Sequence, residues 1–288
     1  MKYALIDALR PNYPLTVLCE TLSVSPSGYH DHRGRQPSAR QVANVQLVSE
    51  IRVLHAQSHG AYGSPRIHAQ LTQQGRRIGR ERVRRLMREQ GLRGRYRRKR
   101  CRTTDSNHRL PVAPNRLQQH FTCQVAHRVW LGDITFVPTD AGFLYVAAMK
   151  DLCTKQIVGW AMSTRIDAAL VIDALTMAYH RHQPAAGLIV HTDRGSQYAS
   201  LAFTDRLKDY RMLQSMSRRG NCYDNAPMES FFASLKGEYL DHRHFATQEQ
   251  ARTAVFQYIE TFYNSVRLHS SIGYQTPNQF EAMLKAAA

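Results

Sequence analysis

Apolar positions recur at helical spacing through the first third of the chain. Leu15, Leu18, Cys19 and Leu22 share one face after Pro14, and Ser25-Pro26 opens a second short helix toward Tyr29. Helix, short turn and helix give either a helix-turn-helix layout or two packed helices without a DNA role. Val42, Val45, Val48 and Ile51 predict a long amphipathic helix over 39–57, Ser64-Pro65 opens one running to Leu71, and Val83, Leu86 and Met87 face inward on a third over 79–90. From residue 128 the pattern changes to β-branched and apolar runs, predicting strands at 128–138, 143–152, 156–162, 188–191 and 212–216, with helices at 167–179 and 200–209. Met228, Phe231, Phe232, Leu235 and Tyr239 then form a helical stripe, followed by a helix over 247–263, a polar loop over 264–277 and a terminal helix. Three strands, helix, strand, helix, strand, helix is the order of an α/β domain. The pattern divides the chain into 1–36, a helix-turn-helix-like segment; 37–100, a basic helical domain; 101–126, a linker; 127–240, an α/β core; and 241–288, a helical extension.

Charge sharpens this division. The net charge is +17, but residues 1–127 carry 23 lysines and arginines against 7 acids, while residues 128–288 carry 16 against 15. An excess so local implies a polyanion partner for the first part. The outer face of the 79–90 helix carries Arg80, Arg82, Arg84, Arg85 and Arg88. Arg93, Arg95, Arg97, Arg98, Lys99 and Arg100 follow, with Tyr96 placed to stack among them. Phosphate contact relieves such repulsion better than a solvated face does. The five cysteines are scattered without CxxC spacing, and His120 with Cys123 has no second ligand pair, so neither a disulfide framework nor a zinc site is indicated there. No signal peptide or 18-residue apolar run is present, and a cytoplasmic protein without a membrane partner is expected.

The candidate chemistry lies in three acids. Asp133 sits mid-strand in RVWLGDITFVP, where a buried charge is costly unless it is paired or metal-bound. Asp193 follows the short run Leu188–Val190, at a strand's carboxyl end. Glu229 lies on the flank of the helical stripe, and Lys236, seven residues later, shares that flank. Converging carboxylates suit hard cations such as Mg²⁺ or Mn²⁺.

There are 59 residues between the aspartates and 35 between Asp193 and Glu229. The acids are framed by Trp130-x-x-Asp133-x-Thr135, His191-x-Asp193-x-Gly195-Ser196-Gln197-Tyr198, Asn221-Cys222-Tyr223-Asp224-Asn225 and Tyr263-Asn264-x-x-Arg267-x-His269-Ser270. This ordered set resembles the DDE transposases and retroviral integrases, and within them the second-frame (OrfB) proteins of the IS-three insertion-sequence family. The resemblance implies an RNase H-like mixed five-stranded sheet with flanking helices, preceded by an all-α helix-turn-helix-type DNA-binding region. It implies a DNA transposase with Asp133, Asp193 and Glu229 as catalytic metal ligands for two Mg²⁺ ions, Mn²⁺ substituting. The partners it implies are double-stranded DNA at element ends and target, a homo-oligomer on DNA, and an upstream-frame protein (OrfA), separate or fused. Lys236 and Arg267 are expected on DNA phosphate with the Arg80, Arg84, Arg88 and Arg95–Arg100 group. Thr135, His191, Gln197, Tyr198 and Asn225 are candidate supports behind the acids; for His191, Gln197 and Tyr198 a purely structural role fits equally. A nuclease that cuts without joining, and a DNA-binding regulator with an inactive core, remain the alternatives.

Overall fold

The computed structural model describes residues 2–95, 111–218 and 222–287. The chain divides into two compact units, Met1–Glu50 and Ile51–Ala288. In the first, α1 (Lys2–Leu9), α2 (Leu15–Thr21) and α3 (Pro26–Gly34) bury Ile6, Leu18, Cys19 and Tyr29 together. Ser25 caps α3 by accepting from the Gly28 N–H at 3.0 Å, as the Ser-Pro signal predicts. The sequence reading contains no α1. That helix is eight residues long with no acid in its first turn and no base in its last, so its ends carry no signal.

Helix α4 (Ala39–Gln57) leads into the second unit, where α5 (Ser64–Gln73) and α6 (Arg80–Glu89) follow. Val83, Leu86 and Met87 point inward from α6 as predicted. The α5 region packs on the chain's last third. The Tyr62 hydroxyl donates to the Val266 carbonyl at 3.0 Å and accepts from the Leu268 N–H at 2.7 Å, and Arg66 Nε donates to the Leu268 carbonyl.

The core is a mixed five-stranded sheet in the order β3-β2-β1-β4-β5. Its strands are β1 (Val129–Thr139), β2 (Gly142–Asp151), β3 (Ile157–Ser163), β4 (Ile189–Thr192) and β5 (Leu213–Met216). The first three form an antiparallel meander, and β4 and β5 add in parallel beside β1. Helices α7 (Ala168–His182) and α8 (Leu201–Asp209) join them. Helix α7 lies so close to β3 that a Cβ at Gly159 would overlap the Ala174 carbonyl, so only glycine fits there.

Helix α9 (Ala226–Ser234) carries Glu229, then α10 (Gln248–Phe256) and α11 (Pro277–Ala286) close the chain. The stripe Met228, Phe231, Phe232, Leu235 and Tyr239 is buried as predicted. Two of the expected continuous helices widen into π-helical segments, Leu235–Leu240 after α9 and Gln257–Tyr263 after α10. The apolar stripe continues through both, which hides the change of pitch from a pattern reading.

Candidate active site

Parallel register puts the two aspartates side by side. Leu131 on β1 is paired with His191 on β4. Asp133 and Asp193 are each two residues further on, so their side chains leave the same sheet face on neighbouring strands. Asp193 stands just past the end of β4, where its Oδ1 accepts from the Gly195 N–H at 2.9 Å. A Cβ on Gly195 would come within 3.0 Å of that oxygen, so the turn leaves the carboxylate room by having no side chain. The Asp133 carboxylate accepts from the Ile134 N–H at 2.8 Å.

Glu229 reaches this face from α9, whose first turn is anchored at two points. Asn225 Nδ2 donates to the Gly132 carbonyl at 3.2 Å, and Lys150 Nζ, from β2, donates to the Pro227 carbonyl at 3.0 Å. Met228, Phe231 and Phe232 bury the opposite side of the helix and leave Glu229 exposed. The result shows in Asp133, whose carboxyl is pushed well above the ordinary carboxylate range. Burial is the main cause, and the negative charges of Asp193 and Glu229 add to it, against the Ile134 N–H and Lys236. The three acids therefore feel one another, and Lys236 faces them with its ammonium 4.6 Å from the Phe136 ring centre.

The supporting residues separate by role. Tyr198 is buried, its hydroxyl has no hydrogen-bond partner among the described residues, and its ionisation is suppressed first by burial and then by Asp133 and Asp193, so it looks onto the acids. Asn225 Oδ1 is likewise buried without a partner among the described residues. His191 is fully buried. One ring nitrogen meets Ser215 Oγ at 2.8 Å and the other the Asp224 carbonyl at 3.0 Å, so it ties β4 to β5 and to the approach to α9. Burial lowers its pKa. Thr135 lies two residues past Asp133 on β1. Gln197 Nε2 donates to the Ile166 carbonyl over a long 3.5 Å.

Arg267 requires a correction. It was expected on DNA phosphate, but it is 4% exposed. Its Nε and Nη2 grip Glu238 at 2.7 and 2.6 Å, and Nη2 also donates to Ser234 Oγ. Tyr258 Oη donates to the same carboxylate, and Arg66 lies 3.7 Å from it. A bidentate buried pair leaves no guanidinium edge for an incoming phosphate. Among the other basic candidates, Arg80, Arg84 and Arg88 are exposed on α6, with Arg84 paired to Glu81 at 2.6 Å. Arg95 donates to the Glu238 carbonyl at 3.2 Å. Arg97, Arg98, Lys99 and Arg100 lie outside the described residues.

Two supporting residues escaped the sequence reading. Asp224 is buried and accepts from Arg218, Asn115 and Gln119, holding the 115–119 segment against the approach to α9. Burial opposes its charge, but the Arg218 side chain and N–H and the Gln119 amide prevail and bring its pKa down to about 2. Lys150 is 5% exposed one residue before the end of the apolar strand β2, and a buried lysine closing such a run is a signal that could have found it. Burial, with Lys155 and Arg267 adding repulsion, lowers its pKa from 10.5 to about 7. The unfolded chain therefore holds this proton up to a higher pH than the folded one. Its cost to stability is full below pH 7 and is relieved as pH rises toward 10.5. Lys150→Met should flatten the difference in Tm between pH 7 and pH 10 relative to the parent, measured by thermal denaturation across that range. Equal slopes would mean the amine is not desolvated.

The sequence has relatives among known proteins. The integrase core domain family matches residues 124–222, a second integrase core domain family matches 210–277, and an HTH-like domain family matches 43–100. The last match covers the α4–α6 region, not the 1–36 segment in which the helix-turn-helix layout was read. The chain is 43% identical to an insertion element IS600 uncharacterized 31 kDa protein of Shigella sonnei, over 91% of this chain and 97% of that one. It is 40% identical to the transposase InsF for insertion sequence IS3A of Escherichia coli K12, over 98% of each chain. Among solved structures, it resembles the simian T-cell lymphotropic virus intasome in complex with a PP2A regulatory subunit, at 16% identity and TM-score 0.46 over 80% of this chain and 73% of that one. It also resembles the HTLV-2 integrase catalytic core domain in complex with magnesium, at 16% identity and TM-score 0.42, over 54% of this chain and 97% of that one.

Proposed function

The chain belongs to the insertion-sequence transposase family of the IS3 InsF proteins, and we propose from its geometry which residues carry the reaction. It is a DNA transposase with an integrase core, a DDE polynucleotidyl transferase. We assign the catalytic, metal-holding role to Asp133, Asp193 and Glu229. The observation that carries this assignment is the shared offset of Asp133 and Asp193 from one register pair, with Glu229 close enough to raise Asp133's pKa.

The donor set fits a hard divalent cation. Three carboxylates that repel one another are stabilised by positive charge placed among them, and the buried, unpartnered Tyr198 hydroxyl and Asn225 oxygen offer places for ordered water around it. Two Mg²⁺ ions, or Mn²⁺ in their place, would supply activation of a water or 3′-hydroxyl nucleophile and neutralisation of the leaving oxygen of the phosphodiester. Asp133, Asp193 and Glu229 would hold the ions between them. Lys236 steadies the carboxylates and meets the DNA backbone beside them. Arg80, Arg84 and Arg88 on α6 give double-stranded DNA a sequence-independent hold. Family membership supports cleavage and strand transfer at the element ends by a homo-oligomer on DNA, with an upstream-frame OrfA protein as partner and the cytoplasm as the place of work.

The metal reading has a test that needs no activity. Fe²⁺ with ascorbate and peroxide, taken up where Mg²⁺ binds, should cut the chain beside residues 133, 193 and 229, and excess Mg²⁺ should suppress the cuts. Absence of cuts at these three places, or cuts there that ignore Mg²⁺, would overturn the assignment.

A further inference from the structure

Where the chain enters β1, three side chains from distant parts of the second unit meet without a role in the chemistry above. His127 precedes β1, His182 ends α7 and Glu281 lies on α11. One ligand atom of each lies within 4.8 Å of the other two. His127 Nε2 is 3.2 Å and His182 Nδ1 is 3.7 Å from the same oxygen, Glu281 Oε1. The ring centres of the histidines are 4.6 Å apart. Four ligands at zinc's usual bond length of ~2.0–2.1 Å stand about 3.3 Å from one another, so two edges of this triangle are near coordination size and the third is a small rotation away. All three side chains are largely buried, at 15, 12 and 9% exposure.

We propose that His127, His182 and Glu281 form a second metal site, taking Zn²⁺ or a chemically similar transition-metal ion. Two imidazoles and one carboxylate select such ions over Mg²⁺, which prefers an all-oxygen shell. The site therefore differs in kind from the carboxylate site assigned above. Lys285 now neutralises Glu281 at 2.7 Å, but its side chain is 69% exposed and can swing into solvent as an incoming cation takes over its charge role, leaving the fourth position to water.

Binding requires one proton to move. Trp130 Nε1 donates to His127 Nδ1 at 3.3 Å, so that nitrogen is an acceptor and Nε2 carries the proton toward Glu281. Coordination through Nε2 returns the proton to Nδ1 and breaks the contact with Trp130. The indole N–H thus reports on the site. The other tryptophan, Trp160, donates to Glu260 at 2.7 Å and should not respond. Filled, the site would clip α11 to the entrance of β1 and the end of α7.

The test uses the full chain, stripped with chelator and held in excess Mg²⁺ to occupy the carboxylate site. Zn²⁺ titrated by calorimetry should bind the parent and Asp133→Asn with one equivalent more than His182→Asn or Glu281→Gln. The parent's Tm should rise by about 5 °C at a hundredfold excess of Zn²⁺ over Kd, and His182→Asn should show no rise. In the parent alone, Zn²⁺ should shift the Trp130 indole N–H resonance and leave that of Trp160 in place. Equal stoichiometry in His182→Asn, loss of the extra equivalent in Asp133→Asn, or a Trp130 resonance that ignores Zn²⁺ would each overturn the proposal. Fe²⁺ also suits two imidazoles and a carboxylate, so cuts beside residues 127, 182 and 281 belong to this site while cuts beside 133, 193 and 229 alone test the carboxylate site, and the two stand or fall separately.

Discussion

Glu229→Gln is expected to leave DNA binding at or above the parent's affinity while strand transfer in Mg²⁺ falls at least about a hundredfold. The substitution keeps the size of the side chain and its hydrogen-bonding capacity. It removes one of the charges that hold a hard cation against its own hydration shell. Glu229 is exposed on α9 and its apolar neighbours face the other way, so folding should be unaffected. It also removes repulsion from Asp133, whose pKa should fall toward the ordinary range. Removing negative charge beside a phosphate chain cannot weaken the approach of a polyanion. A paired gel shift and strand-transfer assay on a labelled element end measures both. A variant that joins DNA at the parent's rate would mean that the catalytic acid lies elsewhere.

Breaking the Arg267–Glu238 pair should cost stability on a scale few single substitutions reach. Glu238→Gln leaves the Arg267 guanidinium buried and short of its counter-charge, with Arg66 3.7 Å from the same carboxylate. Removing one partner of such a pair costs ~3–5 kcal/mol, whereas replacing both with apolar groups of similar volume is often neutral. We expect Tm to drop by ~10 °C for Glu238→Gln, and much of that to return in the double variant Glu238→Leu with Arg267→Met. Thermal denaturation of the single and double variants separates this from a role on phosphate. A DNA contact would instead give weaker, less salt-dependent binding at unchanged Tm, and that result would restore Arg267 to the interface.

Arg267 also shows what a pattern can and cannot carry. Its surroundings, Asn264 to Pro277, read as a polar loop, and a polar residue looks the same in sequence whether water or a carboxylate 29 positions away satisfies it. Asn264 is a second case. Its side-chain amide pairs with both backbone groups of Ile157, at 2.9 and 3.0 Å, and so acts as a sheet partner where a loop residue was read. Asp133 was legible for the opposite reason: an acid among β-branched and aromatic residues contradicts its neighbourhood. Lys150 contradicts its own less sharply, because it stands beside Asp151 where the strand ends and a lone lysine offers no spacing to match. The five strands were legible because each apolar run ends at a charge or a turn. The π-helical segments were not, because one extra residue per turn leaves an apolar stripe nearly intact.

The pairing of Leu131 with His191 makes the placing of the two aspartates a matter of register rather than of the interval between them. Whole helices or loops can be added between β1 and β4 without moving either carboxylate, provided β4 enters the sheet in the same register. A one-residue slip of β4 against β1 would send Asp193 to the opposite face, with every other side chain of the strand. Within this architecture the count of residues between the aspartates is free to drift, while the two-residue step from the shared pair to each acid is not.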